Sequence, residues 1–199
     1  MYKDFKVISI TNQAICPRPL PEQIERLINL GIKDFILREK DLSISEYTKL
    51  AQEIAPICEK YHANLILHSF WQTAKQLQNQ QYGCVKFDKI HFPLWLLKRD
   101  QKEIMKQDFK EIGCSCHSLE EANQAVSLGA TYITASHIYK TNCKKGLPPR
   151  GVDFLKQICD SINIPVYALG GIKQDGSQFK ELKETGAKGA CIMSELMII

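Results

Sequence analysis

The chain has 199 residues, of which 44% are hydrophobic and 24% charged, a composition that excludes collagen-like, disordered and coiled-coil proteins. Lys and Arg number 26 against 22 Asp and Glu, and a net charge of +4 without a local cluster excludes a nucleic-acid footprint, so an acidic ligand should be small. The cysteines (Cys16, Cys58, Cys84, Cys114, Cys116, Cys143, Cys159 and Cys191) are scattered through apolar segments, no signal peptide precedes them, and no apolar run reaches the ~20 residues of a membrane span, which predicts a cytoplasmic protein with reduced thiols and no membrane partner.

In chain order, short apolar or β-branched runs predict strands at Lys6–Ile10, Asp34–Arg38, Asn64–His68, Lys89–Phe92, Lys110–Cys114, Tyr132–Ala135, Val166–Leu169 and Gly189–Ile192. Amphipathic stretches lie between them. Ser43 and Glu46 form a capping-box pattern that opens a helix over Ser43–Tyr61, and Ser118 with Glu121 opens another over Ser118–Leu128, ended by Gly129. Leu119, Ala122, Ala125 and Val126 share one face of that second helix, as packing on a parallel sheet requires. Trp71–Asp108 is the weakest stretch: Gln76–Gln81 is polar, and the segment after Phe92 holds either a helix at Leu94–Lys98 or a loop. With no linker or composition shift, residues 1–199 read as a single domain, and the βα alternation predicts a small (β/α)8 barrel in preference to a doubly wound sheet. Only Met193–Ile199 follow the last strand. The final helix is therefore expected to be missing or truncated, with Leu196, Met197, Ile198 and Ile199 an exposed apolar tail covered by a second copy of the chain in a dimer or larger homo-oligomer.

In a barrel, ligand groups sit where strands end. The second strand is followed by Arg38-Glu39-Lys40, the third ends in His68, the fourth contains His91, and the fifth is followed by Ser115-Cys116-His117. The sixth leads to His137 and the loop from Thr141 through Lys144 to Gly146; the seventh ends in Gly170-Gly171 and the eighth in Met193-Ser194. Paired glycines and a serine in these last loops match backbone phosphate sites of such barrels, although Gly-Gly is also what any tight turn with positive φ would use. Histidine suits proton transfer near neutrality. His117 is the candidate acid/base because it precedes the N-cap Ser118, its alternative being a ring that only bonds a backbone carbonyl; for His68, His91 and His137 a space-filling role is the preferred reading. The Cys114/Cys116 pair has no second pair at zinc spacing and reads as core thiols. Strand ends offer no carboxylate for magnesium apart from Glu39.

The chain resembles the thiamine phosphate synthase/TenI superfamily over nearly its whole length. The resemblance is carried by Leu37-Arg38-Glu39-Lys40-Asp41-Leu42-Ser43, by Gly113-Cys114-Ser115-Cys116-His117-Ser118-Leu119-Glu120-Glu121-Ala122, by Lys144-Lys145-Gly146-Leu147 with Arg150-Gly151, by Ile164–Ile172, and by Gly186–Ala190 leading to Met193-Ser194. Synthases join a pyrimidine pyrophosphate to a thiazole phosphate with magnesium held by aspartates after strands three and four; here those positions read His68-Ser69-Phe70 and His91-Phe92-Pro93-Leu94-Trp95-Leu96. The synthase Gln before the Arg of the Arg-Glu-Lys motif is Ile36. The loop Asn142-Cys143-Lys144-Lys145-Gly146-Leu147 is instead similar to TenI-type thiazole tautomerases, which also lack the magnesium aspartates, although His68 and Phe70 stand where TenI has Asn and Arg. The resemblance implies a thiazole tautomerase with His117 as acid/base, His68 as a second candidate proton carrier, and a phosphorylated thiazole bound by Arg38, Lys40, Ser115, Lys144, Gly170, Gly171, Met193 and Ser194. No metal or organic cofactor is implied, magnesium being expected only if the chain is a synthase. The alternatives are that synthase, thiamine-phosphate diphosphorylase, or a non-catalytic binder of thiazole or thiamine phosphates.

Overall fold

A computed structural model describes residues 5–78 and 85–199. Cys84 and part of the polar Gln76–Gln81 stretch lie outside them. Eight parallel strands, β1 (Lys6–Ile10), β2 (Asp34–Leu37), β3 (Asn64–His68), β4 (Lys89–Pro93), β5 (Glu111–Cys116), β6 (Tyr132–Ser136), β7 (Val166–Leu169) and β8 (Gly189–Ile192), pair in sequence order, and β1 pairs with β8 to close the barrel. The helices are α1 (Leu20–Asn29), α2 (Ile44–Lys60), α3 (Trp71–Gln78), α4 (Leu94–Ile104), α5 (Leu119–Ser127), α6 (Gly151–Ser161), α7 (Phe179–Glu184) and α8 (Ser194–Met197).

Alternation along each strand separates two cores. Phe35 and Leu37, Leu65 and Leu67, Ile90 and Phe92, and Cys114 and Cys116 point outward into the layer shared with the helices. Ile8, Ile10, Ile36, Ile66 and Cys191 form a smaller apolar cluster with Tyr167, Leu169 and Met193. The intervening inward positions on β3 to β6 are polar: His68, His91, Ser115, Tyr132, Thr134 and Ser136. Cys114 and Cys116 are both buried.

The first helix start behaves as its sequence requires; the second is capped on one side only, because the Glu121 carboxylate accepts from the backbone N–H of His117 rather than that of Ser118. Ser43 and Glu46 form a reciprocal capping box, and Ser118 Oγ accepts from Glu121 N at 3.1 Å. Four expectations need correction. Strand β5 runs on to Cys116, because Ser115 and Cys116 find backbone partners at Thr134 and Ala135 of β6. Residues 94–104 form a full helix directly after Pro93, longer than Leu94–Lys98. Val126 is exposed rather than on the packed face of α5. The apolar tail is not bare: Leu196 and Met197 are 0% exposed and pack into the chain's own core, while Gln23 Nε2 donates to Leu196 O at 2.6 Å and Arg18 bonds Ile199 O. Only Ile198 stays exposed, so the tail gives no reason for a covering partner. No helix among the described residues is long and apolar enough to cross a membrane.

Candidate functional site

A cavity of about 490 Å³ opens where the strands end. Its wall contains Arg38 after β2, His68 of β3, Ser115 of β5, Lys144 in the β6–α6 loop, Gly170 and Gly171 after β7, and Met193 and Ser194 after β8. Eight of the ten residues singled out in the sequence are therefore brought together. Lys40 and His117 are not in the wall. Lys40 is exposed beside it, near enough for the charges of Arg38 and Lys144 to lower its pKa after burial has done so. Arg38 and Lys144 are also shifted down, chiefly by burial. Partly desolvated cations that lack full counter-charge favour an anionic ligand.

Glu39, between the two bases, turns away from the cavity. Its carboxylate accepts from Thr11 Oγ1 at 2.6 Å and from Gln13 N at 3.0 Å, and Thr11 Oγ1 in turn accepts from Arg38 N at 2.9 Å. These bonds tie the loop after β1 to the loop after β2 and present Arg38 to the cavity.

The glycine pair has a steric cause. Gly170 has φ +104°, and a Cβ there would stand 2.4 Å from His137 Cβ; Gly171 has φ +69°, and a Cβ would stand 2.5 Å from Lys140 O. Two backbones pass too closely for any side chain. Ser194 faces the same corner, its Oγ 3.2 Å from Cys143 Sγ, and Lys173 reaches Glu195 at 2.7 Å beside it.

His68 and His91 pair directly across β3 and β4, which places their rings 5.7 Å apart. Burial drives His68 well below the usual imidazole range, helped by His91, Arg38 and Lys40, and burial lowers His91 to about 3. Both are neutral at working pH. The His68 ring lines the cavity with its Nδ1 2.9 Å from Ser69 Oγ.

His117 stands behind Ser136, which is in the wall. Its Nδ1 lies 2.9 Å from Ser136 Oγ and 3.2 Å from Ser136 O, while Glu121 accepts from its backbone N at 2.5 Å. The carbonyl contact is the bland role considered from sequence, but the hydroxyl adds to it. A hydroxyl can donate to a bare Nδ1, and a carbonyl can accept from one that carries a hydrogen, so either tautomer of the ring finds a partner at Ser136.

A family model described as thiamine monophosphate synthase matches residues 7–196. The chain belongs to the thiamine monophosphate synthase family. A thiamine-phosphate synthase of Fusobacterium nucleatum is 31% identical over 98% of this chain and 90% of its own length. One from Clostridium acetobutylicum is 30% identical over 98% and 88%. A solved structure titled thiamine phosphate pyrophosphorylase, from Pyrococcus furiosus, superposes with a TM-score of 0.78 over 98% of this chain and 88% of its own, at 23% identity, and shows the shared barrel.

Members of the thiamine monophosphate synthase family that use magnesium are expected to hold it with carboxylates after β3 and β4. The residues here do not fit that ion. Among the described residues the only carboxylate in the cavity wall is Glu195, already paired with Lys173, and no group of three His, Cys, Asp or Glu side chains suited to a metal exists. Sequence reasoning missed Ser136, Lys140 and Lys173 in the wall, and named Cys143 only as part of the loop before Lys144. Ser136 at the end of β6, and the placement of the others in the loops after β6 and β7, were the available signal.

Proposed function

We propose that the cavity binds a phosphorylated thiazole and that the chain isomerises it, converting a carboxythiazole phosphate tautomer into its aromatic form. The observation that carries this reading is the wall itself: cations and a glycine loop to hold anions, neutral histidines where a metal-dependent transferase would place carboxylates. The phosphate sits against Gly171 and Ser194, where backbone N–H groups and Lys144 face it, and the carboxylate faces Arg38. His117 exchanges the proton through the Ser136 side of the wall, and aromatisation drives the reaction. This chain then needs no group beyond its own side chains.

The second reading is the transferase, thiamine-phosphate synthase, and the names of the relatives favour it. One experiment separates the two. The protein is given the thiazole tautomer with EDTA, and separately pyrimidine pyrophosphate plus thiazole phosphate with magnesium. Isomerisation unaffected by EDTA is the expected result. Magnesium-dependent formation of thiamine phosphate, without isomerisation, establishes the transferase; specific binding of thiazole phosphate with neither activity leaves a binding protein.

A further inference from the structure

Polar side chains from β4, β5 and β6 form a hydrogen-bond chain inside the barrel, of which the sequence singled out only Ser115 as a ligand contact. The Tyr132 hydroxyl lies 3.1 Å from His91 Nδ1, His91 Nε2 lies 2.9 Å from Ser115 Oγ, and Thr134 Oγ1 donates to the same Ser115 Oγ at 3.5 Å. The register builds it. Gly113 is the backbone partner of His91 on one side and of Tyr132 on the other, so these two side chains would be separated by whatever stood between them. A Cβ on Gly113 would lie 2.1 Å from Tyr132 Cζ and 2.3 Å from His91 Nδ1. Glycine there lets tyrosine and imidazole meet.

Counting hydrogens gives the chain a direction. Tyr132 is buried and stays protonated, burial holding its hydroxyl well above the ordinary range, and His91 Nδ1 is its only acceptor among the described residues. Nδ1 is therefore bare. His91 is neutral, so its one N–H is on Nε2 and donates to Ser115 Oγ, as Thr134 also does. The lone pairs of Ser115 Oγ are engaged from within the barrel, its own hydrogen is not, and Ser115 lines the cavity.

We propose that Tyr132 and His91 are positioning residues that make the Ser115 hydroxyl a one-way hydrogen-bond donor into the cavity. The site then accepts ligands that present an acceptor at that point, an anionic oxygen or an unprotonated ring nitrogen, and rejects those that present a donor, because a donor would meet hydrogen with hydrogen. The choice of probe below rests on the thiazole phosphate reading; the direction of the hydrogen-bond chain does not.

Imidazole nitrogen NMR on the wild-type protein reads the direction without any ligand. A protonated Nε2 and a bare Nδ1 on His91 are expected, and the reverse overturns the proposal. Calorimetry with the aromatic thiazole phosphate then tests the consequence. Tyr132→Phe and Ser115→Ala should each weaken binding about tenfold, and the double variant no more than Ser115→Ala alone. His91→Gln, whose carbonyl accepts from Tyr132 while its amide donates to Ser115, should lose less than His91→Leu. Additive losses, or Tyr132→Phe binding like wild type, overturn the proposal. If the wild-type protein does not bind thiazole phosphate, the proposed function fails while the NMR result still decides the direction.

Discussion

His68 and His91 face each other across the β3–β4 pairing with ring centroids 5.7 Å apart, and both are held neutral by the barrel interior. Folding therefore releases protons from these rings wherever the unfolded chain would bind them. With folded pKa values depressed below an unfolded value near 6.5, their contribution to stability is fully present above about pH 6.5 and is lost as pH falls; for His91 the loss continues to about pH 3. Each ring should contribute a slope of about 1.4 kcal/mol per pH unit within its window. Urea unfolding at pH 7, 6 and 5 should show falling stability, and His91→Gln should flatten the profile. A flat wild-type profile would contradict the neutral pair.

His117 is expected to carry the proton in the isomerisation. His117→Ala and His117→Gln should each slow turnover by about 10²- to 10⁴-fold with the affinity for thiazole phosphate nearly unchanged, since in the proposed binding mode the phosphate is gripped by the loops after β7 and β8. Ser136→Ala, which removes the hydroxyl 2.9 Å from the ring, should slow it less. If His117→Ala instead loses affinity at unchanged saturated rate, His117 positions the ligand.

The close approach at Gly171 makes a sharp test of the phosphate loop. Gly171→Ala places a methyl 2.5 Å from Lys140 O and 2.7 Å from Tyr139 O at a φ of +69°. The loop must move. A stability loss of about 1–3 kcal/mol and a fall in phosphate-ester affinity are expected in thermal melts and calorimetry. Unchanged affinity would place the phosphate elsewhere in the cavity.

Burial of the chain end has its own energetic signature. Leu196→Ala should cost about 2–5 kcal/mol, and the loss should not depend on protein concentration, because the pocket that holds Leu196 belongs to the same chain. Chemical denaturation at two protein concentrations tests this, and a concentration-dependent midpoint would return the tail to an interface between copies.

The barrel was legible because strand-forming runs alternate with capped, amphipathic helices, and because side chains such as Arg38, Ser115 and Ser194 sit at strand ends where a barrel gathers them. What stayed hidden depends on partners far away in sequence. Cys116 is a strand residue only because Ala135 pairs with it, and Leu196 is buried because it packs into a core built by distant residues, its carbonyl held by Gln23 on α1. Helix α4 lacks a side-chain cap, Pro93 occupying the N-cap, so its sequence carried little of the usual start signal. The relation of His91 to Tyr132 rests on a missing side chain at Gly113, which no pattern of polar residues announces.

The Glu39 clasp has a consequence for the passage of ligand. On the β1–β2 side of the rim, a buried carboxylate fastens one loop to the next through Thr11 and Gln13, whereas the loop after β8 meets those after β6 and β7 through exposed pairs, Cys143 with Ser194 and Lys173 with Glu195. Contacts exchanged readily with water part at lower cost than a bonded carboxylate inside the fold. The rim is therefore held more firmly on its β1–β2 side than where the β8 loop meets its neighbours, and the passage of a ligand is expected on that second side.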